Sequence, residues 1–124
     1  MYRYTVDEKE RLVVATFEGE VRDADLFDYL ADMLANTEYG AGWHTLIDLT
    51  PVSVVDLSSK GVRRMRNLPT QMEERLCGAR AAIVAPAGTA AFGMSRMYQT
   101  IGDTAAYEVA VFTDREKAMA WLKP

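Results

Sequence analysis

The chain has 124 residues, 49% hydrophobic and 26% charged, with 8 Gly and 4 Pro in no biased tract; this fits a single domain over residues 1–124 and excludes a disordered or collagen-like chain. Its 14 Lys+Arg against 18 Asp+Glu give a formal charge of -4, which argues against nucleic acid as a partner. A lone cysteine, Cys77, precludes an internal disulfide, and no apolar run approaches the ~20 residues of a bilayer span, so a cytoplasmic protein without a transmembrane segment is expected.

Tyr2 to Val6 and Arg11 to Glu18 are rich in aromatic and β-branched residues and flank the short charged stretch Asp7-Glu8-Lys9-Glu10, which predicts an antiparallel hairpin. Asp23 is placed to cap a helix in which Leu26, Phe27, Leu30, Met33 and Leu34 recur at helical spacing, and Gly40 and Gly42 mark its end. Trp43 to Thr50 and Ala79 to Ala85, closed by Pro51 and Pro86, read as buried strands of a parallel sheet. Between them Ser58 to Leu76 reads as helix, bent or interrupted at Pro69. Ala90 to Ile101 carries an i, i+3, i+4, i+7 stripe of Met94, Met97, Tyr98 and Ile101. Tyr107 to Phe112 is the last strand, and Thr113-Asp114-Arg115-Glu116 has the form of a capping box opening a final helix that buries Ala118, Trp121 and Leu122. The order β-β-α-β-α-β-α-β-α predicts an α/β domain: a mixed five-stranded sheet, its N-terminal hairpin antiparallel and its remaining strands parallel, with about four helices.

In such sheets ligand sites gather at the carboxyl ends of the strands, here the loops after Glu18, Thr50, Ala85 and Phe112. His44, the only histidine, enters its strand at the opposite edge from Ser58 and Ser59, so a Ser-His-Asp triad is not easily built. Cys77 lacks a partner for zinc or redox chemistry and reads as a small packing residue. Asp48 and Asp56 bracket one loop; they could hold a hard cation, but hydrogen bonds capping the loop are the preferred reading, and no metal or cofactor is assigned. Gly88 to Ser95 nearly spells a phosphate-binding loop, yet Met94 stands where the lysine belongs, so a small-residue turn with Gly93 against the sheet is preferred. Lys60, Arg63, Arg64 and Arg66 form a basic segment, Arg63 and Arg66 on one face, suited to an acidic partner. Thr89, Phe92, Arg96 and Met97 are the candidates for lining a pocket or meeting an anion, with Met94 and Tyr98 packing inward or forming a pocket wall. No nucleophile–base pair or metal-ligand cluster can be assembled, which argues against an enzyme.

Leu46-Ile47-Asp48-Leu49-Thr50-Pro51-Val52-Ser53-Val54-Val55-Asp56-Leu57-Ser58-Ser59-Lys60-Gly61 resembles the strand-loop-helix signature of STAS domains, the anti-sigma-factor-antagonist family, with Asp48, Leu49, Thr50, Val52, Val55 and Asp56 in register. Leu57 and Lys60 interrupt the family's Asp-Ser-Ser-Gly. Ala81 to Pro86, Phe92 to Tyr98 and Val111-Phe112 with Ala118 to Leu122 are similar to the SpoIIAA-like (STAS/SEC14) subgroup. The resemblance implies helices largely on one sheet face and a non-enzymatic regulatory role with a protein partner, of which an anti-sigma-type kinase is one form. A carrier of a small apolar or anionic, lipid-like ligand is the alternative. The family's phosphorylated serine maps to Ser58 by distance from Asp56, or to Ser59 by closeness to Gly61. Strands such as Leu12-Val13-Val14-Ala15 are apolar on both faces, so the second face needs a cover: a helix of this chain, or a second copy in a two-fold dimer, the dimer slightly favoured.

Overall fold

A computed structural model describes residues 1–36, 38–66, 74, 76–101 and 107–123, with the backbone alone for Met65, Arg66 and Ile101. Strand β1 (Tyr2–Asp7) pairs antiparallel with β2 (Leu12–Phe17) in the register Tyr2 to Phe17 through Asp7 to Leu12. β2 then pairs in parallel with β4 (His44–Asp48), β4 with β6 (Arg80–Val84), and β6 with β7 (Glu108–Phe112), so the main sheet runs β1-β2-β4-β6-β7. This is the expected mixed five-stranded sheet.

Two short strands were not anticipated. β3 (Gly19–Arg22) and β5 (Val52–Asp56) form a separate parallel pair. They continue β2 and β4 after a break. Gly19 adopts φ +70° and donates its N–H to the Pro51 carbonyl at 3.1 Å, while Pro51 has no N–H to extend a ladder. The segments after Glu18 and Thr50, expected as loops, therefore carry strands, and the loop that matters begins only after Asp56.

Helices α1 (Asp23–Ala35), α2 (Ser59–Arg66) and α3 (Ala90–Ile101) follow β3, β5 and β6. Because the strand order advances in one direction, right-handed crossovers leave these helices on one face. Tyr29 and Met33 of α1 pack there with Val13, Ala15 and Phe17, and Tyr98 of α3 packs with Ala81, Ile83 and Val109. Phe17, Leu46, Val13 and Val84 are each under 2% exposed, and burial of such side chains contributes about 1.5–3 kcal/mol apiece. Pro69 and the expected bend lie outside the described residues.

The second face is covered by α4 (Arg115–Leu122), whose Ala118 and Leu122 pack on Leu12, Leu46, Ala82 and Val84. Beyond α4, the outward residues of β1, namely Arg3, Thr5 and Asp7, are exposed and polar. Of the two expected covers, the chain's own helix is the one realised, and the argument for a homodimer loses its premise.

Three local expectations are corrected. Asp114, not Thr113, caps α4: its side chain accepts the Glu116 N–H at 2.8 Å. Gly93 makes no close contact, since a Cβ there would meet nothing within 4 Å. Cys77 is exposed rather than packed.

Under the last turn of α4, the Arg80 N–H donates to His44 Nδ1 at 2.9 Å and the Arg80 guanidinium donates to the Trp121 carbonyl at 2.8 Å. Burial, then the Arg80 charge, holds the imidazole below its ordinary pKa of 6.5. Protonation therefore favours the unfolded chain. Stability should be intact above pH 6.5 and decline as pH falls from there toward the folded-state value. Urea midpoints at pH 8 and pH 5 should differ more for the wild type than for His44→Gln; equal differences would discard this assignment.

Candidate functional site

β5 ends at Asp56, Leu57 turns into the core, and Ser58 precedes α2. The Ser58 hydroxyl oxygen accepts the Gly61 N–H at 2.8 Å and its carbonyl accepts the Val62 N–H at 3.0 Å, so Ser58 is the N-cap of α2. The same hydroxyl donates to Asp23 Oδ2 at 2.7 Å, and the Ser58 N–H donates to Asp23 Oδ1 at 3.1 Å. Asp23, expected to cap its own helix, instead ties the start of α1 to the start of α2. The Arg22 N–H at the head of α1 is taken by Asp25. Room for this tie depends on Gly61, where a Cβ would stand closer than 3.0 Å to the Asp23 carboxylate. Ser59, the first residue of α2, is exposed.

Behind this loop, between the main sheet and helices α1 to α3, lies a cavity of about 140 Å³. Val55, Leu57 and Val62 wall it near the serine loop, Tyr29 and Met33 on α1, Thr45, Ile47, Ala81 and Ile83 on the sheet, and Ala91, Met94, Ser95 and Tyr98 on α3. None of the described lining residues is charged. Most lining polar groups are satisfied: Ser95 donates to the Ala91 carbonyl, Tyr39 to the Met33 carbonyl, and the Tyr98 and Tyr107 hydroxyls meet each other. The Thr45 hydroxyl, on a residue only 9% exposed, has no hydrogen-bond partner among the described residues. The same holds for the hydroxyl of Tyr29, whose pKa burial drives well above that of an ordinary tyrosine, neighbouring tyrosines adding to the shift. An unmade hydrogen bond at a buried hydroxyl costs about 1–3 kcal/mol.

Neither family models nor curated protein sequences give a match to this chain. Among solved structures, a DUF3478-family protein from Shewanella loihica PV-4, described as having a SpoIIAA-like fold, superposes with TM-score 0.61 at 18% identity, covering 98% of this chain and 93% of that one. The chain has the SpoIIAA-like fold. An anti-sigma factor antagonist from Mycobacterium paratuberculosis superposes with TM-score 0.50 at 14% identity, over 100% of this chain and 96% of that one.

On this SpoIIAA-like frame the predicted site residues separate. Ser58 and Ser59 stand together at the head of α2, where the helical reading of Ser58 to Leu76 puts them. Asp48 Oδ1 accepts the N–H and hydroxyl of Thr50 at 2.9 and 2.7 Å, and Oδ2 faces Arg115 at 3.3 Å, which makes it a loop-capping residue. Asp56 closes β5, exposed, opposite Arg22 in the ladder. Among the described residues no group of three or more His, Cys, Asp or Glu is placed to hold a metal. Arg63 is exposed on α2; Arg64 lies 4.7 Å from the centre of the Phe27 ring and fastens α2 to α1; the side chain of Arg66 lies outside the described residues.

Thr89, Phe92, Arg96 and Met97 are not among the lining residues of the cavity. The Thr89 hydroxyl donates to the Pro86 carbonyl and accepts the Phe92 N–H, fixing the turn into α3; Arg96 is exposed; Phe92 and Met97 are half-buried. The residues missed were Asp23, Gly61, Tyr29 and Thr45. Thr45 carried a usable signal, since it shares strand parity with Ile47 and is therefore a polar residue at an inward position. Asp23 carried none, because its partner lies 35 residues away.

Proposed function

We propose that this protein is a cytoplasmic, non-enzymatic regulatory module of the STAS type, which acts by binding a protein partner and is controlled at the loop bearing Ser58 and Ser59. The observation that carries the reading is the Ser58 hydroxyl held between the Asp23 carboxylate and the Gly61 N–H at a helix start, where a change of charge alters two helices at once. Likeness to an anti-sigma factor antagonist supports a protein partner, with an anti-sigma-type kinase as the form that would modify the loop. Exposed Arg63 on the same helix is offered as a contact for an acidic surface of that partner. No described helix is long and apolar enough to cross a membrane.

The two serines differ in consequence. A phosphate on Ser59 gains from the helix N-terminus and disturbs no hydrogen bond of the tie, whereas one on Ser58 confronts the Asp23 carboxylate. Ser58→Asp should therefore weaken partner capture and also cost roughly 1–2 kcal/mol of stability, through a lost hydrogen bond and like-charge repulsion. Ser59→Asp should weaken capture with little change in stability. Capture from host lysate, read beside urea midpoints, tests this. If both variants retain full capture, the control loop is lost as a proposal.

A second reading, a non-catalytic binder of a small apolar ligand, is favoured by the cavity, whose described lining residues carry no charge.

A further inference from the structure

A cavity of this size is close to the ~150 Å³ apolar cavities that accept benzene, so a molecule of about six to ten non-hydrogen atoms fits within it. No lysine, arginine or histidine lines it among the described residues, so none of these would offer a counter-charge to a carboxylate or phosphate stripped of water inside. Yet the wall is not wholly inert. Thr45, 9% exposed, and Tyr29, 8% exposed, are both lining residues, and each carries a hydroxyl with no hydrogen-bond partner among the described residues. Buried polar groups in folded proteins are nearly always paired, and an unpaired one beside a cavity is a place where a bound molecule can supply the partner.

We infer that the cavity binds a compact, neutral, single-ring molecule carrying one hydroxyl or carbonyl group, which hydrogen-bonds Thr45 on β4, with Tyr29 on α1 as the second polar contact. The inference rests on the ligand-binding reading above and narrows it: a phenol-like or cyclic-ketone-like molecule fits, and a fatty acid or a phosphorylated headgroup does not. The ring takes the space among Met33, Ile83 and Met94, and its polar atom replaces the missing partner in the wall.

Calorimetric titration of the full chain with three probes tests this: 4-methylphenol, toluene and octanoate. The phenol should bind at least fivefold more tightly than toluene, because only it offers the hydrogen bond, and octanoate should not compete with it. Thr45→Val, which keeps the shape and removes the hydroxyl, should weaken the phenol about fivefold to tenfold while leaving toluene unchanged. Tyr29→Phe, read in the same way, shows whether the second hydroxyl shares the contact. Ala91→Leu, which fills the cavity, should abolish binding of every probe that enters there, and thermal unfolding of each variant confirms that it folds. Octanoate binding as well as the phenol, with loss in Ala91→Leu, would overturn the assigned ligand class while leaving a ligand cavity. So would equal affinity for phenol and toluene. Failure of all three probes to bind would remove the ligand-binding reading itself, and this inference with it.

Discussion

Gly61→Ala is expected to destabilise the protein by about 1–3 kcal/mol, although glycine to alanine inside a helix ordinarily stabilises by up to about 1 kcal/mol. The sign is reversed by one neighbour. A Cβ on Gly61 would stand closer than 3.0 Å to the Asp23 carboxylate, which is held in place by the hydroxyl and N–H of Ser58. To make room, the carboxylate must swing away and give up both hydrogen bonds, leaving α1 and α2 joined at this end by apolar contacts and by Arg64 over Phe27. In an Asp23→Ala background the clash is gone, and the same Gly61→Ala change should be neutral or stabilising. A double-mutant cycle read by urea unfolding gives the coupling, expected to exceed 1 kcal/mol. Additive effects would mean that the tie does not hold the two helices. Because the serine loop is built on this tie, Gly61→Ala should also impair partner capture.

The five-stranded sheet and its helices were legible because their signals are local. The aromatic and β-branched content of β1 and β2, the apolar runs of β4 and β6 and the stripe on α3 each lie within a dozen residues. β3 and β5 were not legible. Four and five residues long, each is too short to show a period, and each forms only because the other pairs with it across a separation of about thirty residues. The site divides along the same line. Ser58 and Ser59 could be placed at a helix start because the segment from Ser58 to Leu76 reads as helix, whereas the carboxylate that engages Ser58 comes from another helix. Asp23 is an ordinary helix-capping residue in the sequence, and only the folded chain shows that its side chain faces away from that task. The pocket candidates Thr89, Phe92, Arg96 and Met97 were chosen for their place after a strand end. The cavity lies deeper between the layers, where Met94 and Tyr98 of the same helix form part of the wall as the sequence suggested, with Ser95 beside them.

The largest single-residue effect expected is that of Phe17→Ala. Phe17 is 1% exposed, its ring lies 5.7 Å from that of Tyr2 and 5.3 Å from that of Tyr29, and it forms part of the cavity wall. Removing the ring should cost about 3–5 kcal/mol, the sum of lost transfer energy and newly opened space. Leu46→Ala supplies the comparison. Leu46 is 0% exposed but faces α4 on the other side of the sheet, and its loss should cost about 2–5 kcal/mol. The two variants should part when a neutral two-ring molecule such as 1-naphthol is added. In Phe17→Ala the void joins the existing cavity and takes the larger ring system, so the melting temperature rises with naphthol concentration by mass action. In Leu46→Ala the void is sealed from the cavity by the sheet, and naphthol should leave the melting temperature where it was. Equal responses would contradict the division of the core into two separate layers, and no response in Phe17→Ala would show that its void does not communicate with the cavity.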